Sequence, residues 1–164
     1  MTYMKVQLLK QNICIGDKMQ KFIEYVNNLK RKINVNKKDV LFICIGTKEI
    51  LGDSIGPRVG TYLIKKIGKE KVIGDIENNI CSNIDLINHY SKMKDKFIVA
   101  IDSAISNEKL DGEIFITESP IVMGQSLNKN KGIIGDIGIK VAISNLNFID
   151  KSYVELISRQ VGQG

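Results

Sequence analysis

The chain has 164 residues, 43% of them hydrophobic and 26% charged, an ordinary globular composition that excludes a disordered chain. No stretch approaches the ~20 apolar residues of a membrane span, and the opening MTYMKVQLLKQ lacks a signal-peptide core, so a cytoplasmic protein with no membrane partner is expected. The net charge of +6 is scattered through KRK, KKD, KIGKEK, SKMKDK and NKNK rather than gathered in a basic–aromatic stripe; this favours a solvated lysine surface over direct nucleic-acid binding.

The length fits one domain spanning 1–164, with an N-terminal helix at about 17–33 ahead of an α/β core at about 39–160. In that helix Asp17 stands at the cap, and Met19, Phe22, Val26, Leu29 and Ile33 share one stripe. INVNKKD breaks the pattern. The continuous apolar run Asp39 to Gly46 then reads as a central parallel strand buried on both faces. Past a Gly-rich turn, Ile55, Val59, Leu63 and Ile67 recur every four residues, with Pro57 in the first turn of the helix they predict. A short strand is expected at Lys71–Asp75, a helix at Asp85–Lys92 and a second buried strand at Lys96–Asp102 (KFIVAID). Glu113–Glu118 alternates as an edge or antiparallel strand would. Residues 119–138 show little periodicity and many turn formers, the pattern of a long functional loop. A strand near Lys140–Ser144 and a helix near Asp150–Arg159 close the chain. Strands alternating with helices imply an α/β fold, a mostly parallel sheet between two helical layers. Right-handed crossovers give a strand order 2-1-3, with the first and third strands adjacent.

The segment from Cys44 to Gly60, CIGTKEILGDSIGPRVG, is strand, Gly-rich turn and helix. Gly46, Gly52 and Gly56 allow a sharp turn and a close approach, and Asp53 stands at the helix start, where it could equally be a plain N-cap. A phosphate loop is disfavoured. G-x-x-x-x-G-K-[ST] is absent, GTKEILG is longer than G-x-G-x-x-G, and an acidic side chain at the anion point would repel phosphate. Asp102 ends the second apolar strand and so lies at the carboxyl edge of the sheet, where open α/β folds place ligands. Its bland alternative is a cap on the following turn. Two carboxyls in one partly dry crevice cannot both ionise easily, so one can serve as base and the other as acid. Asp136, in GIIGDIG, adds a third carboxylate with flexible neighbours. A Ser–His–Asp triad would have to use His89, the only His, remote in sequence from Ser54 and Ser103. Three cysteines (Cys14, Cys44, Cys81) without C-x-x-C suggest neither a disulfide framework nor a thiolate zinc site, and Cys44 reads as a buried small hydrophobe.

FICIGT-x(4)-GDSIGPRVG at 42–60, VAIDSA at 99–104 and GIIGDIGIK at 132–140 resemble the YyaC-type sporulation proteins, a family described as spore proteases. More distantly the pattern is similar to the germination protease and the hydrogenase maturation peptidases. The resemblance implies a three-layer α/β/α hydrolase-like fold and a cytoplasmic spore or forespore location. It also implies an aspartic-type peptidase with Asp53 and Asp102 as the catalytic pair. The substrate would be a protein or peptide, with small acid-soluble spore proteins as the class suggested by the germination protease. Gly46, Thr47, Gly52, Ser54, Gly56, Ser103 and Asp136 are then expected around the substrate, with no cofactor and no metal. Hydrogenase maturation peptidases carry a nickel-sensing acid where this chain has Ser54, and a late His that this chain lacks. Two other readings stay open: a non-catalytic regulator binding a peptide in the same crevice, and a hydrolase holding Mg²⁺ or Mn²⁺ on Asp53, Asp102 and Asp136. A homo-oligomer is compatible with all of them.

Overall fold

The apolar run VLFIC forms β1 (Val40–Cys44) in the computed structural model, which describes residues 39–107, 112–125, 129, 131–145 and 151–163. The helix expected at 17–33, together with Cys14, lies outside those residues. The chain continues through α1 (Ile55–Ile67), a 3-10 turn (Lys69–Lys71) and β2 (Val72–Ile73). The helix expected at Asp85–Lys92 is broken into α2 (Asn83–Leu86), a 3-10 turn (Ile87–His89) and α3 (Tyr90–Met93). β3 (Phe97–Ile105), β4 (Ile114–Thr117), β5 (Ile121–Val122), β6 (Ile133–Ile134), β7 (Ile137–Ile143) and α4 (Lys151–Gln163) follow.

The main sheet has the order β2-β1-β3-β7-β4. β2, β1, β3 and β7 run parallel and β4 runs antiparallel at the edge, as its alternating pattern suggested. The expected order 2-1-3 is present. Because β2 and β3 lie on opposite sides of β1, the winding direction reverses between β1 and β3, and open α/β sheets place their ligand crevice at the carboxyl ends of such a pair. The stretch 119–138 is not purely loop, for β5 and β6 pair as a small antiparallel sheet. Strands of two residues leave no periodicity to find in the sequence.

Alternation along the strands divides the core. Val99, Ile101, Ile139 and Val141 face one side, where they pack with Ile55, Val59 and Leu63 of α1 and Val154, Ile157 and Val161 of α4. Leu41, Ile43 and Ala100 face the other side, with Leu86 of α2 and Ile121, Met123 and Ile134 of the small sheet. The result is a three-layer α/β fold that, among the described residues, is thick on the helical face and thin on the hairpin face. One close approach sets α1 against the sheet: a Cβ at Gly60 would lie 1.9 Å from the Gly74 carbonyl oxygen, so only glycine fits.

Candidate active site

Asp102 does not end its strand; β3 runs three residues further, to Ile105. β1 pairs with β3 only as far as Cys44 beside Ile101, so Asp102 stands one residue past the last β1 partner. The gap is roofed by the β1–α1 turn. Ile45 N–H donates to Ile101 O at 2.7 Å, and Gly46 N–H donates to Ile80 O at 2.9 Å. Gly46 has φ +136°, and a Cβ there would strike the Asp53 carbonyl oxygen at 2.0 Å, so this glycine is required both by conformation and by the close return of the turn. Gly56 has no left-handed φ; its own constraint is the end of β1, since a Cβ would lie 1.9 Å from Ile45 O.

Asp53 does not cap the helix. Ser54 holds the N-cap position, with its hydroxyl donated to Leu51 O at 2.6 Å and accepting from Arg58 Nε at 3.0 Å. The Asp53 carboxylate instead turns back across the loop, where its Oδ2 accepts the Thr47 N–H at 2.8 Å. Asp53 is 7% exposed and Asp102 6% exposed, unusual burial for carboxylates that have no ion pair among the described residues.

The electrostatics follow from that burial. Desolvation pushes Asp53 up, and this is partly offset by the Thr47 N–H and the nearby Lys131 charge. Desolvation pushes Asp102 well above the carboxylate range, and the charge of Asp53 raises it further, against the Ser103 N–H (2.8 Å to Oδ1) and Lys140. The two carboxyls therefore sense one another, and their titration belongs to the pair. Asp102 is the member pushed up the more strongly. Asp53, with a backbone donor and a cation beside it, is the member that ionises first.

Three further side chains share the crevice without any spacing in the sequence to announce them. Lys140 is the register partner of Asp102 on β7, so both project on the hairpin face, and its Nζ donates to Gln125 Oε1 at 3.3 Å. Lys131 reaches Asp53 from the β5–β6 connection. Cys81 donates its thiol to Gly46 O at 3.2 Å; burial, then Asp85, Asp53 and Asp102, push that thiol up. Only Lys140 left a hint, a charge inside the otherwise apolar IGIKVAI.

The remaining expected residues divide. Gly46, Thr47, Gly52 and Ser54 lie in the turn that carries Asp53, and Gly56 lies in the first turn of α1. Ser103 follows Asp102, but its side chain alternates to the helical face, where its Oγ is buried without a hydrogen-bond partner among the described residues. The structure does not bring Asp136 to the pair. Its backbone N–H and its Oδ2 bond with Ile98 at the amino edge of the sheet, four residues or roughly 13 Å along β3 from Asp102. That placement removes the third ligand of a three-carboxylate metal centre. Cys44 is fully buried, as its apolar surroundings suggested.

A family described as "Protein of unknown function (DUF1256)" matches residues 13–159. The uncharacterised protein YyaC of Bacillus subtilis is 28% identical over 117 residues, covering 69% of this chain and 57% of that protein, so the chain spans just over half the length of this relative. Among solved structures, the [NiFe] hydrogenase maturation protease HycI of Thermococcus kodakarensis KOD1 aligns with a TM-score of 0.55 at 12% identity, over 77% of this chain and 89% of the other. HybD, a [NiFe] hydrogenase maturation protease from Thermococcus kodakarensis, aligns at 0.50 with 16% identity, over 76% and 95%. At such identities the likeness establishes the fold.

Proposed function

We propose that this chain, which belongs to the DUF1256 family, is a peptidase that hydrolyses a protein or peptide substrate with Asp53 and Asp102. One observation supports the reading most: two buried carboxyls on the β1–α1 turn and on β3 flank the winding switch of a parallel sheet, both pushed up by desolvation, with Asp102 the more strongly raised and coupled to the charge of Asp53. A fold shared with proteins named as proteases, and the likeness to YyaC-type proteins, support it.

Ionised Asp53 takes a proton from water as the water oxygen adds to the scissile carbonyl carbon. Asp102, protonated, gives its proton to the carbonyl oxygen, so no free oxyanion forms. Collapse of the tetrahedral adduct breaks the C–N bond; the leaving amine takes the proton from Asp53, and the hydroxyl proton returns to Asp102. Positioned proton transfer of this kind contributes about 10²–10⁴-fold. The substrate class is the small acid-soluble proteins of the spore, and the site of action the spore or forespore cytoplasm.

The test is incubation of wild type, Asp53→Asn and Asp102→Asn with such proteins at pH 4–8, with cleavage followed by mass spectrometry. Wild type is expected to cleave, and each folded variant to be slower by about 100-fold or more. Absence of cleavage at every pH, with a peptide still bound by Asp53→Asn, would replace the peptidase with a non-catalytic peptide-binding regulator.

A further inference from the structure

On the face of the sheet opposite Asp102, α1 and α4 run side by side, close enough that a Cβ at Gly162 would lie 2.4 Å from Tyr62 Cβ. α1 lines the seam with Arg58, Tyr62, Lys65 and Lys66, and α4 with Lys151, Glu155 and Arg159, each set on one stripe at helical spacing. Glu155 is the only acid on either helix. It accepts from the Tyr62 hydroxyl and from Arg58 Nη1 at 2.5 Å, and these two hold its carboxyl below the usual range. The one negative charge is thus matched inside the seam by Arg58.

Beyond that cluster the seam opens into a hollow of about 470 Å³ lined by Tyr62, Lys65, Lys66 and Arg159. Lys65 Nζ stands 5.9 Å over the Tyr62 ring. Lysines in the last turn of α1 have an ordinary role, complementing the carbonyl end of the helix. Arg159 comes from the neighbouring helix, one turn beyond Glu155, and lines the same hollow. Lys65 and Arg159, cations from two helices beside one open hollow, form a donor set suited to phosphate oxygens, with a guanidinium for paired contacts and an ammonium as a point charge. The volume is that of a small-molecule site rather than of a track for a duplex.

We propose that this hollow binds a compact multivalent phosphate anion, at a site separate from the acidic crevice and independent of the peptidase reading. Isothermal titration of the full chain with inorganic tripolyphosphate, against sulfate at matched ionic strength, tests it. Saturable one-to-one binding is expected, at least about tenfold tighter than sulfate and weakened about tenfold or more in a folded Lys65→Gln/Arg159→Gln variant. Lys94→Gln, exposed after α3 and away from this face, should bind as wild type does. Equal affinity for sulfate and tripolyphosphate, or equal weakening by Lys94→Gln, would overturn the site. A duplex oligonucleotide that binds more tightly than tripolyphosphate would overturn it in favour of a nucleic-acid face.

Discussion

Replacing Asp102 by asparagine isolates the free energy of burying a carboxyl in the crevice, and it needs no substrate. Asparagine keeps the shape and an oxygen for the Ser103 N–H, but it cannot ionise. In the wild type, the folded state holds the Asp102 proton well above the range where the unfolded chain releases it. Between those two values the unfolded state carries one proton fewer than the native state, so stability falls as pH rises, by about 1.4 kcal/mol per pH unit. Below the unfolded value both states are protonated and the burial is harmless; above the folded value the loss is complete and levels off. Asp102→Asn removes this slope. Urea unfolding of both proteins at half-unit steps from pH 3.5 to 8 should therefore give curves that meet in acid and diverge towards neutrality, with the variant the more stable. A flat difference across that range, or a variant less stable at neutral pH by a constant amount, would mean that Asp102 is ionised in the fold and satisfied by other groups.

Other expectations follow from the same coordinates. Gly60→Ala gains about 1 kcal/mol of helix propensity but places a methyl 1.9 Å from Gly74 O, so α1 must lift from β2; a net loss of about 2–3 kcal/mol in denaturant unfolding is expected, and a neutral result would contradict the close approach. Cys81 reports on the acidic crevice, because burial and neighbouring carboxylates raise its thiol. Its alkylation by iodoacetamide, in a Cys14→Ser background to leave one accessible thiol, should have a pH profile displaced above that of a free thiol and moved back down by Asp53→Asn. An identical profile in the two proteins would separate Cys81 from Asp53.

The core of this fold was legible where the polypeptide obeys a single period. The apolar run at 39–46 and the four-residue repeat of Ile55, Val59, Leu63 and Ile67 could each be read locally, and right-handed crossovers then ordered the first three strands. The start of β7 was not. Gly138, Lys140 and Ala142 interrupt its apolar residues because they face the thin layer, which delayed the expected strand to Lys140 and left Asp136 at the wrong edge for the crevice. The Gly-rich turn and the strand ending in AID pointed to Asp53 and Asp102. Their neighbours Cys81, Lys131 and Lys140 are brought in by tertiary packing from separate segments, and no local spacing encodes that.

The unequal thickness of the two layers has a dynamic consequence. Among the described residues, the hairpin face of the sheet is packed by pieces of two to four residues, β5, β6 and α2, whereas the helical face is held by two helices of 13 residues each. Breathing motions that wet the carboxyl therefore lift the hairpin side and leave the helices in place, and amide hydrogens of β5 and β6 should exchange well ahead of those in β1 and β3. Ionising Asp102 favours the lifted state, since only there does its charge meet water. Proton release and local opening are in this way one equilibrium, and alkaline pH loosens the wall through which a polypeptide would reach the acidic pair.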